Sequence, residues 1–274
     1  MASSPELDQR STAWLTERAG KVTASALYKV MARTKTGYGA DRANYHAQLV
    51  AERLTGCPAD SFSNAAMQWG TDTEPQARAM YTLETGMDVI ETGFWPHPSI
   101  GMTGASPDGL VGEAGLVEIK CPNTATHIAT LRGASIDRKY LLQMQWQMAC
   151  TGRDWCDFAS FDPRLPDEMQ LHVRRVQRDA DLLAEIESEV TKFLAEVAGL
   201  SLARERFMAG QEFVVDAQVG YTFQSGSLEG LGVLLQVSNL TNERFLTYYN
   251  DDVRQVRDYQ NYGRNIMLGA TYKF

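Results

Sequence analysis

Ser106-Pro107-Asp108-Gly109-Leu110-Val111-Gly112-Glu113-Ala114-Gly115-Leu116-Val117-Glu118-Ile119-Lys120-Cys121-Pro122 reads as two short strands joined by a glycine-bounded turn. Successive side chains of a strand point to opposite faces, so Glu118 and Lys120 share one face and Ile119 points to the core. A hairpin through Gly109 to Gly115 brings Asp108 back beside that pair. Two adjacent carboxylates repel, and the arrangement is readily sustained when a divalent cation sits between them. Hard oxygen donors suit Mg²⁺ or Mn²⁺. Asp108 and Glu118 are therefore candidate metal ligands, and the backbone carbonyl of Ile119 is a third donor. An ion held there lowers the pKa of a bound water and stabilises charge on a phosphoryl group. Lys120 would orient or deprotonate that water and screen the developing charge.

A third carboxylate lies upstream. Trp69-Gly70-Thr71-Asp72-Thr73-Glu74-Pro75 opens a helix that carries Arg78, and Glu74 could reach the same ion. Taken alone, Asp-x₉-Glu-x-Lys is a weak pattern that equally suits a turn aspartate and a solvated strand face. The flanking Ser-Pro-Asp-Gly and Cys-Pro give it weight.

Outward from this centre, Ser11 to about Gly210 reads as α/β, helices packed on a mixed sheet. Arg42–Leu54 and Thr73–Thr85 carry helical apolar spacing, with Gly56 and Gly86 as stops. Short β-like runs follow at Val89–Phe94, Met102–Ala105, Gly115–Ile119 and Cys156–Phe161. Tyr140–Ala149 looks helical, and Asp179–Val197 is an amphipathic helix with an acidic outer face. Near residue 210 the pattern changes to period two. Phe213–Phe223, Leu231–Val237 and Tyr262–Phe274 alternate as strands, and Thr241–Asn261 is a long polar stretch. Two regions are expected, 1–210 and a β-rich appendage at 211–274.

The chain has 274 residues and a formal charge of −8. That balance offers no global attraction to polyanions, so contact with them must come from a local basic patch or bound metal. The four cysteines (57, 121, 150, 156) form no CxxC pair or zinc spacing and read as free, mostly buried thiols. His46, His97, His127 and His172 are scattered. No apolar run approaches the ~20 residues of a membrane-spanning helix. Met1–Gly20 is polar and lacks a signal-like apolar core, so a cytoplasmic location is expected.

Five motifs then fall in order: Trp14-x-x-x-Arg18-x-Gly20-x-x-Thr23-Ala24-Ser25, Trp69-Gly70-x-x-x-Glu74, Ser106-Pro107-Asp108-Gly109-Leu110, Glu118-Ile119-Lys120-Cys121-Pro122 and Tyr140-x-x-Gln143-x-Gln145-Trp146-x-Met148. Phe161-Asp162-Pro163-Arg164 and the closing helix fit as well. Over about residues 11–200 the chain resembles the phage lambda exonuclease/YqaJ recombinase family. The resemblance implies a PD-(D/E)xK restriction-endonuclease-like core and a Mg²⁺-dependent exonuclease that degrades the 5′ strand from duplex DNA ends. It implies that Asp108, Glu118 and the Ile119 carbonyl hold metal, that Lys120 serves the water, and that Glu74 completes the acidic site. Gln143 matches the family's active-site glutamine. Arg18, Ser25 and Ser106 match positions that bind the terminal 5′-phosphate, chemistry that suits a guanidinium fork with hydroxyl donors. A single-strand annealing partner and a homotrimer enclosing DNA are further implications. Lys35, in the loop Arg33-Thr34-Lys35-Thr36-Gly37, is an additional candidate DNA contact. Trp69 and Trp146 read as core.

The end of the chain, Asn239–Phe245 with Tyr262-Gly263-Arg264 and Gly269-x-Thr271-Tyr272-Lys273-Phe274, is similar to the last strands of TonB-dependent outer-membrane receptors. About three strands cannot close a barrel, which needs at least ~8. The segment is therefore expected to be a fused or read-through remnant outside any membrane. Two alternatives compete with the exonuclease: a fragment of such a receptor, and a DNA-end-binding protein with a dead nuclease fold. The intact Asp108/Glu118/Lys120 set disfavours the second.

Overall fold

The computed structural model describes residues 9, 11–35, 37–59, 65–208, 217–222, 230–238, 245–248, 256–260 and 265–272. The chain divides into two compact units, Met1–Ser201 and Leu202–Phe274.

The first unit opens with α1 (Thr12–Arg18), β1 (Val22–Thr23), a 3-10 turn (Ala24–Ala26) and α2 (Leu27–Val30). A small hairpin, β2 (Arg33–Thr34) and β3 (Gly37–Tyr38), leads into α3 (Ala40–Thr55) and α4 (Ala65–Thr85). The central strands follow: β4 (Val89–Ile90), β5 (Trp95–Pro96), β6 (Thr103–Ala105), β7 (Gly109–Val111) and β8 (Gly115–Lys120). Then come α5 (Thr124–Leu131), α6 (Arg138–Thr151), β9 (Trp155–Phe161), α7 (Asp167–Gln170), β10 (Leu171–Gln177) and α8 (Ala180–Met208).

Five of these strands form a sheet in the order β10-β9-β8-β7-β4, in which only β8 and β9 run parallel. A second sheet, β1-β6-β5, lies in the same unit. The helices divide the apolar core among both. One cluster joins Ala77 and Tyr81 of α4 to Val117, Ile119 and Phe161. Another places Met144 and Met148 of α6 against Leu116, Cys156 and Phe158. Val117 and Ile119 thus pack toward α4, and Leu116 packs toward α6. That is the alternation the sequence predicts, and each fully buried aliphatic side chain contributes about 1.5–3 kcal/mol. The largest cluster, with Leu49, Trp146, Ile186 and Phe193, holds α3, α6 and α8 together.

Helix ends follow local chemistry. Ser11 caps α1 by accepting the Trp14 N–H, and Gly56 closes α3 in the left-handed conformation at φ 70. Several expectations are corrected. The helix expected from Thr73 begins at Ala65, and the one expected to end at Val197 runs to Met208. The run Val89–Phe94 is a strand only over Val89–Ile90. Strand β10 was not foreseen; it lies at a sheet edge, where Arg174 and Arg175 are exposed and the alternation is blurred.

In the second unit, β11 (Ala217–Thr222), β12 (Leu231–Ser238) and a later strand, Asn265–Tyr272, form an antiparallel sheet. The stretch read as long and polar contains β13 (Phe245–Tyr248) paired with β14 (Val256–Gln260), which makes the last strand β15. Phe213–Val215, Phe223 and the polar residues between these strands lie outside the described residues. No described helix is long and apolar enough to cross a membrane.

Candidate active site

Strand register brings the two carboxylates together. Gly109 of β7 lies opposite Val117 of β8, so Asp108, one residue earlier, falls beside Glu118. A side chain at Gly109 would meet Val89 Cγ1 at 2.1 Å, so β4 can approach only because glycine follows Asp108. Asp108 Oδ2 accepts the Ile119 N–H at 2.7 Å, which fixes the aspartate to the neighbouring strand.

Glu118 is fully buried and saturated with donors. Its Oε1 accepts the Gln143 side-chain N–H at 2.6 Å and the Lys120 ammonium. Its Oε2 accepts the Gln147 side-chain N–H at 2.6 Å. Gln143 and Gln147 are one turn apart on α6 and therefore share a face. Gln147 was missed by sequence reasoning, although the four-residue spacing from Gln143 was the signal that could have found it.

The electrostatics reflect this crowding. Burial pushes the Asp108 carboxyl up to about 8; the Glu118 charge adds to the shift, Lys120 opposes it, Glu74 adds, and the Ile119 N–H opposes. For Lys120, burial alone would favour the neutral amine, but Glu118 and Asp108 outweigh it and hold the ammonium above its ordinary value. Burial likewise raises the Cys121 thiol to about 12, with Glu74 and Asp108 next in effect.

Glu74 is close enough to act on both groups, yet its carboxylate is bound at 2.8 Å by Arg78, whose other arm reaches Glu91 at 2.5 Å. Among the described residues, no three His, Cys, Asp or Glu side chains converge as a metal-holding group. Glu74 stands within electrostatic reach of Asp108 while paired with Arg78. The remaining pair still fits a hard divalent ion. Asp108 and Glu118 supply hard oxygens, and a cation between them would relieve the repulsion that raises Asp108.

A second constellation forms around α1. The Arg18 guanidinium carbon lies 3.8 Å from the centroid of the Trp14 ring, and its Nη2 is 3.5 Å from Ser25 Oγ. The Trp14 indole N–H donates to Ser106 Oγ at 3.0 Å. Arg18 and Ser106 thus meet around one indole, with Ser25 beside the Arg18 guanidinium and Ser106 two residues before Asp108. Arg18 Nε is buried without a partner among the described residues, and burial lowers this guanidinium to about 10 against the pull of Tyr45 and Glu52. A cleft of about 200 Å³ beside it is lined by Lys21, Lys29 and Tyr45 among others. Lys35 stands apart, exposed at the turn of the β2–β3 hairpin, which Arg33 and Tyr38 tie to Glu189 of α8.

Trp146 is core, as expected, and donates to Thr103 Oγ1 at 3.1 Å. Trp69 is only half-buried. Gln145 has a structural task, accepting the Asp179 N–H at the start of α8 and donating to the Gln177 carbonyl. Cys57 is exposed, against expectation, while Cys150 and Cys156 are buried.

A mixed sheet flanked by helices, with Asp108 before one strand and Glu118-x-Lys120 on the next, defines the PD-(D/E)xK nuclease-like fold class. The model of the YqaJ-like viral recombinase domain matches residues 13–154, and the chain belongs to that family. It is similar to LHK-Exo, crystallised in complex with dAMP, at 52% identity and a TM-score of 0.68, covering 74% of this chain and 100% of that one. A further structure of LHK-Exo, described as an alkaline exonuclease from Laribacter hongkongensis, matches at 51% identity and a TM-score of 0.68, with the same coverage. A phage-related exonuclease of Haemophilus somnus shares the fold at 19% identity and a TM-score of 0.52, over 68% of this chain and 96% of that one. An uncharacterised protein of Acanthamoeba polyphaga mimivirus, R354, is 26% identical over 168 residues, which are 56% of this chain but only 29% of the viral protein.

Proposed function

We propose that this chain is a Mg²⁺-dependent DNA exonuclease that degrades the 5′ strand of duplex ends. The observation that carries the proposal is the pairing of Asp108 with Glu118 across one hairpin, beside Lys120. Membership of a recombinase family and likeness to an alkaline exonuclease support DNA as the substrate.

Asp108, Glu118 and the Ile119 carbonyl would hold Mg²⁺, with Mn²⁺ as a substitute. When bound, the ion supplies Lewis-acid stabilisation of the scissile phosphate and a more acidic water. Gln143 and Gln147 hold the Glu118 carboxylate from behind, so that it does not rotate away from its task. Lys120, beside both acids, would orient or deprotonate the attacking water and screen the phosphate. Glu74 contributes through the field it exerts on Asp108, and Arg78 holds it in place.

Arg18, Ser25 and Ser106 would bind the terminal 5′-phosphate, with Trp14 fixing both the guanidinium and the Ser106 hydroxyl. Each cleavage exposes a new 5′-phosphate for the same pocket, which accounts for end preference. Lys35 would make a peripheral DNA contact. A cytoplasmic location, an annealing partner and a trimer encircling DNA complete the proposal. Residues 1–210 would suffice for activity, and 211–274 would be a dispensable appendage of receptor-like strands.

Digestion of 5′-phosphorylated linear duplex is the test. Mg²⁺ should support loss of the 5′ strand, EDTA should stop it, and Glu118→Ala or Lys120→Ala should abolish it. Undiminished degradation in EDTA, or by the Lys120 variant, would sink the mechanism. A chain ending at 210 that folds but does not cut would overturn the domain assignment.

A further inference from the structure

Strands β8 and β9 run parallel and end on the same edge, where Lys120 lies opposite Ser160. Just beyond that edge, Asp162 and Arg164 make a fork-to-fork pair: Arg164 Nε to Asp162 Oδ1 at 2.6 Å and Nη2 to Oδ2 at 3.0 Å. Asp162 is fully buried, so the guanidinium is held from below. Nη2 also donates to the Pro122 carbonyl at 3.1 Å, two residues past Lys120. The guanidinium carbon lies 4.7 Å from the centroid of Trp69, on the same helix as Glu74.

This guanidinium is anchored on three sides and open on the fourth. Arg164 is exposed, and among the described residues its Nη1 makes no hydrogen bond. The Trp69 indole N–H is buried and also lacks a partner there. A buried donor left unpaired costs free energy unless something accepts from it, so this is an unusual place to leave one. Because Arg164 holds the carbonyl of Pro122, two residues past Lys120, and Lys120 lies opposite Ser160, two residues before Asp162, the arginine sits next to the acidic centre. A guanidinium pre-oriented by a carboxylate and stacked on an aromatic ring is ready to donate to phosphate oxygens.

We propose that Arg164, stacked on Trp69 and braced by Asp162 and the Pro122 carbonyl, grips the phosphodiester of the substrate strand adjacent to the scissile one. The inference rests on the nuclease proposal above and adds a substrate-positioning residue to it. The scissile group would be held at the ends of β7 and β8, and its neighbour at the ends of β8 and β9.

The test uses the full chain and a 5′-phosphorylated duplex. Digestion by the wild-type protein with Mg²⁺ tests the nuclease proposal by itself. Binding is then measured by fluorescence anisotropy with Ca²⁺ in place of Mg²⁺, over a range of salt, for wild type, Arg164→Gln and Arg164→Lys. Loss of one charge-assisted contact should weaken binding by Arg164→Gln about tenfold or more. The slope of log affinity against log salt should become shallower by about 0.9, the value of one neutralised phosphate. Arg164→Lys should retain the salt slope and recover part of the affinity. In turnover, KM should rise more than kcat falls. If the wild type digests DNA but Arg164→Gln binds with unchanged affinity and salt slope, Arg164 is only a brace for the turn and the inference is wrong. A change confined to the melting temperature would likewise leave Arg164 with that bracing role alone. If the wild type digests no DNA, the nuclease proposal fails and takes this one with it.

Discussion

Gln147 offers a quantitative test of how the site is built. Replacing it by leucine conserves size while deleting the 2.6 Å hydrogen bond to Glu118 Oε2 in a fully buried setting. A hydrogen bond to a charged group contributes about 1.5–3 kcal/mol, and a buried acceptor left unpaired bears the upper part of that range. Taking about 2 kcal/mol, and about 2–4 °C per kcal/mol for a chain of this size, the melting temperature should fall by about 4–8 °C. Because the lost partner is one particular carboxylate, the penalty must shrink when that carboxylate is neutralised. In a double-mutant cycle with Glu118→Gln, the coupling between positions 118 and 147 should be about 1–2 kcal/mol, whereas unconnected sites add within about 0.5 kcal/mol. Thermal and chemical denaturation of the four proteins supply the numbers. Exonuclease activity of Gln147→Leu, if it falls, should fall through kcat, since the side chain steadies the acid rather than meeting DNA. A purely additive cycle would show that Gln147 fills space and holds nothing.

Other outcomes follow from separate features. Arg18→Ala should reduce digestion of 5′-phosphorylated ends about tenfold or more relative to 5′-hydroxyl ends, from loss of one charge-assisted contact; equal losses on both substrates would remove its phosphate role. Gly104→Ala should destabilise the fold by about 1–3 kcal/mol, because a Cβ there would lie 2.4 Å from the Trp95 carbonyl oxygen and 2.3 Å from the Phe94 ring. A melting curve indistinguishable from wild type would contradict that packing. His97, stacked on Trp146 at 4.6 Å, is kept by burial below the ordinary imidazole range, against the opposing pull of Glu187. Its folded form resists protonation, so its contribution to stability is complete above the unfolded value near 6.5 and declines as pH falls below it. Melting temperatures between pH 7.5 and 5.5 should show this acid slope, and His97→Gln should flatten it.

Much of the central hairpin was legible because period two leaves little freedom. Once Val117 and Ile119 point inward, Glu118 and Lys120 must share the other face, and glycines at 109, 112 and 115 locate the turn. The constellation of Arg18, Ser25 and Ser106 was legible only through family resemblance; nothing in the spacing of those residues says that Trp14 would link Arg18 to Ser106. Gln147 escaped because its four-residue spacing from Gln143 acquires meaning only from the acid that both side chains face. The Glu74–Arg78 pair was visible as a four-residue spacing, but the second ion pair of Arg78, to Glu91 in the following strand region, was not. Strand β10 was obscured by its position at the sheet edge, where exposed arginines replace polar-apolar alternation. The β13–β14 hairpin was obscured in a similar way, by a stretch too polar to announce a strand.

Helix α6 touches both constellations at once. Gln143 and Gln147 grip the acid on one sheet, while Trp146, between them in sequence, fastens to Thr103 on the other, three residues before the serine that meets Trp14. Gln143, Trp146 and Gln147 lie within about one turn of α6, so the spacing between the acid on one sheet and Thr103 on the other is set across a single helix by backbone geometry, not by loops.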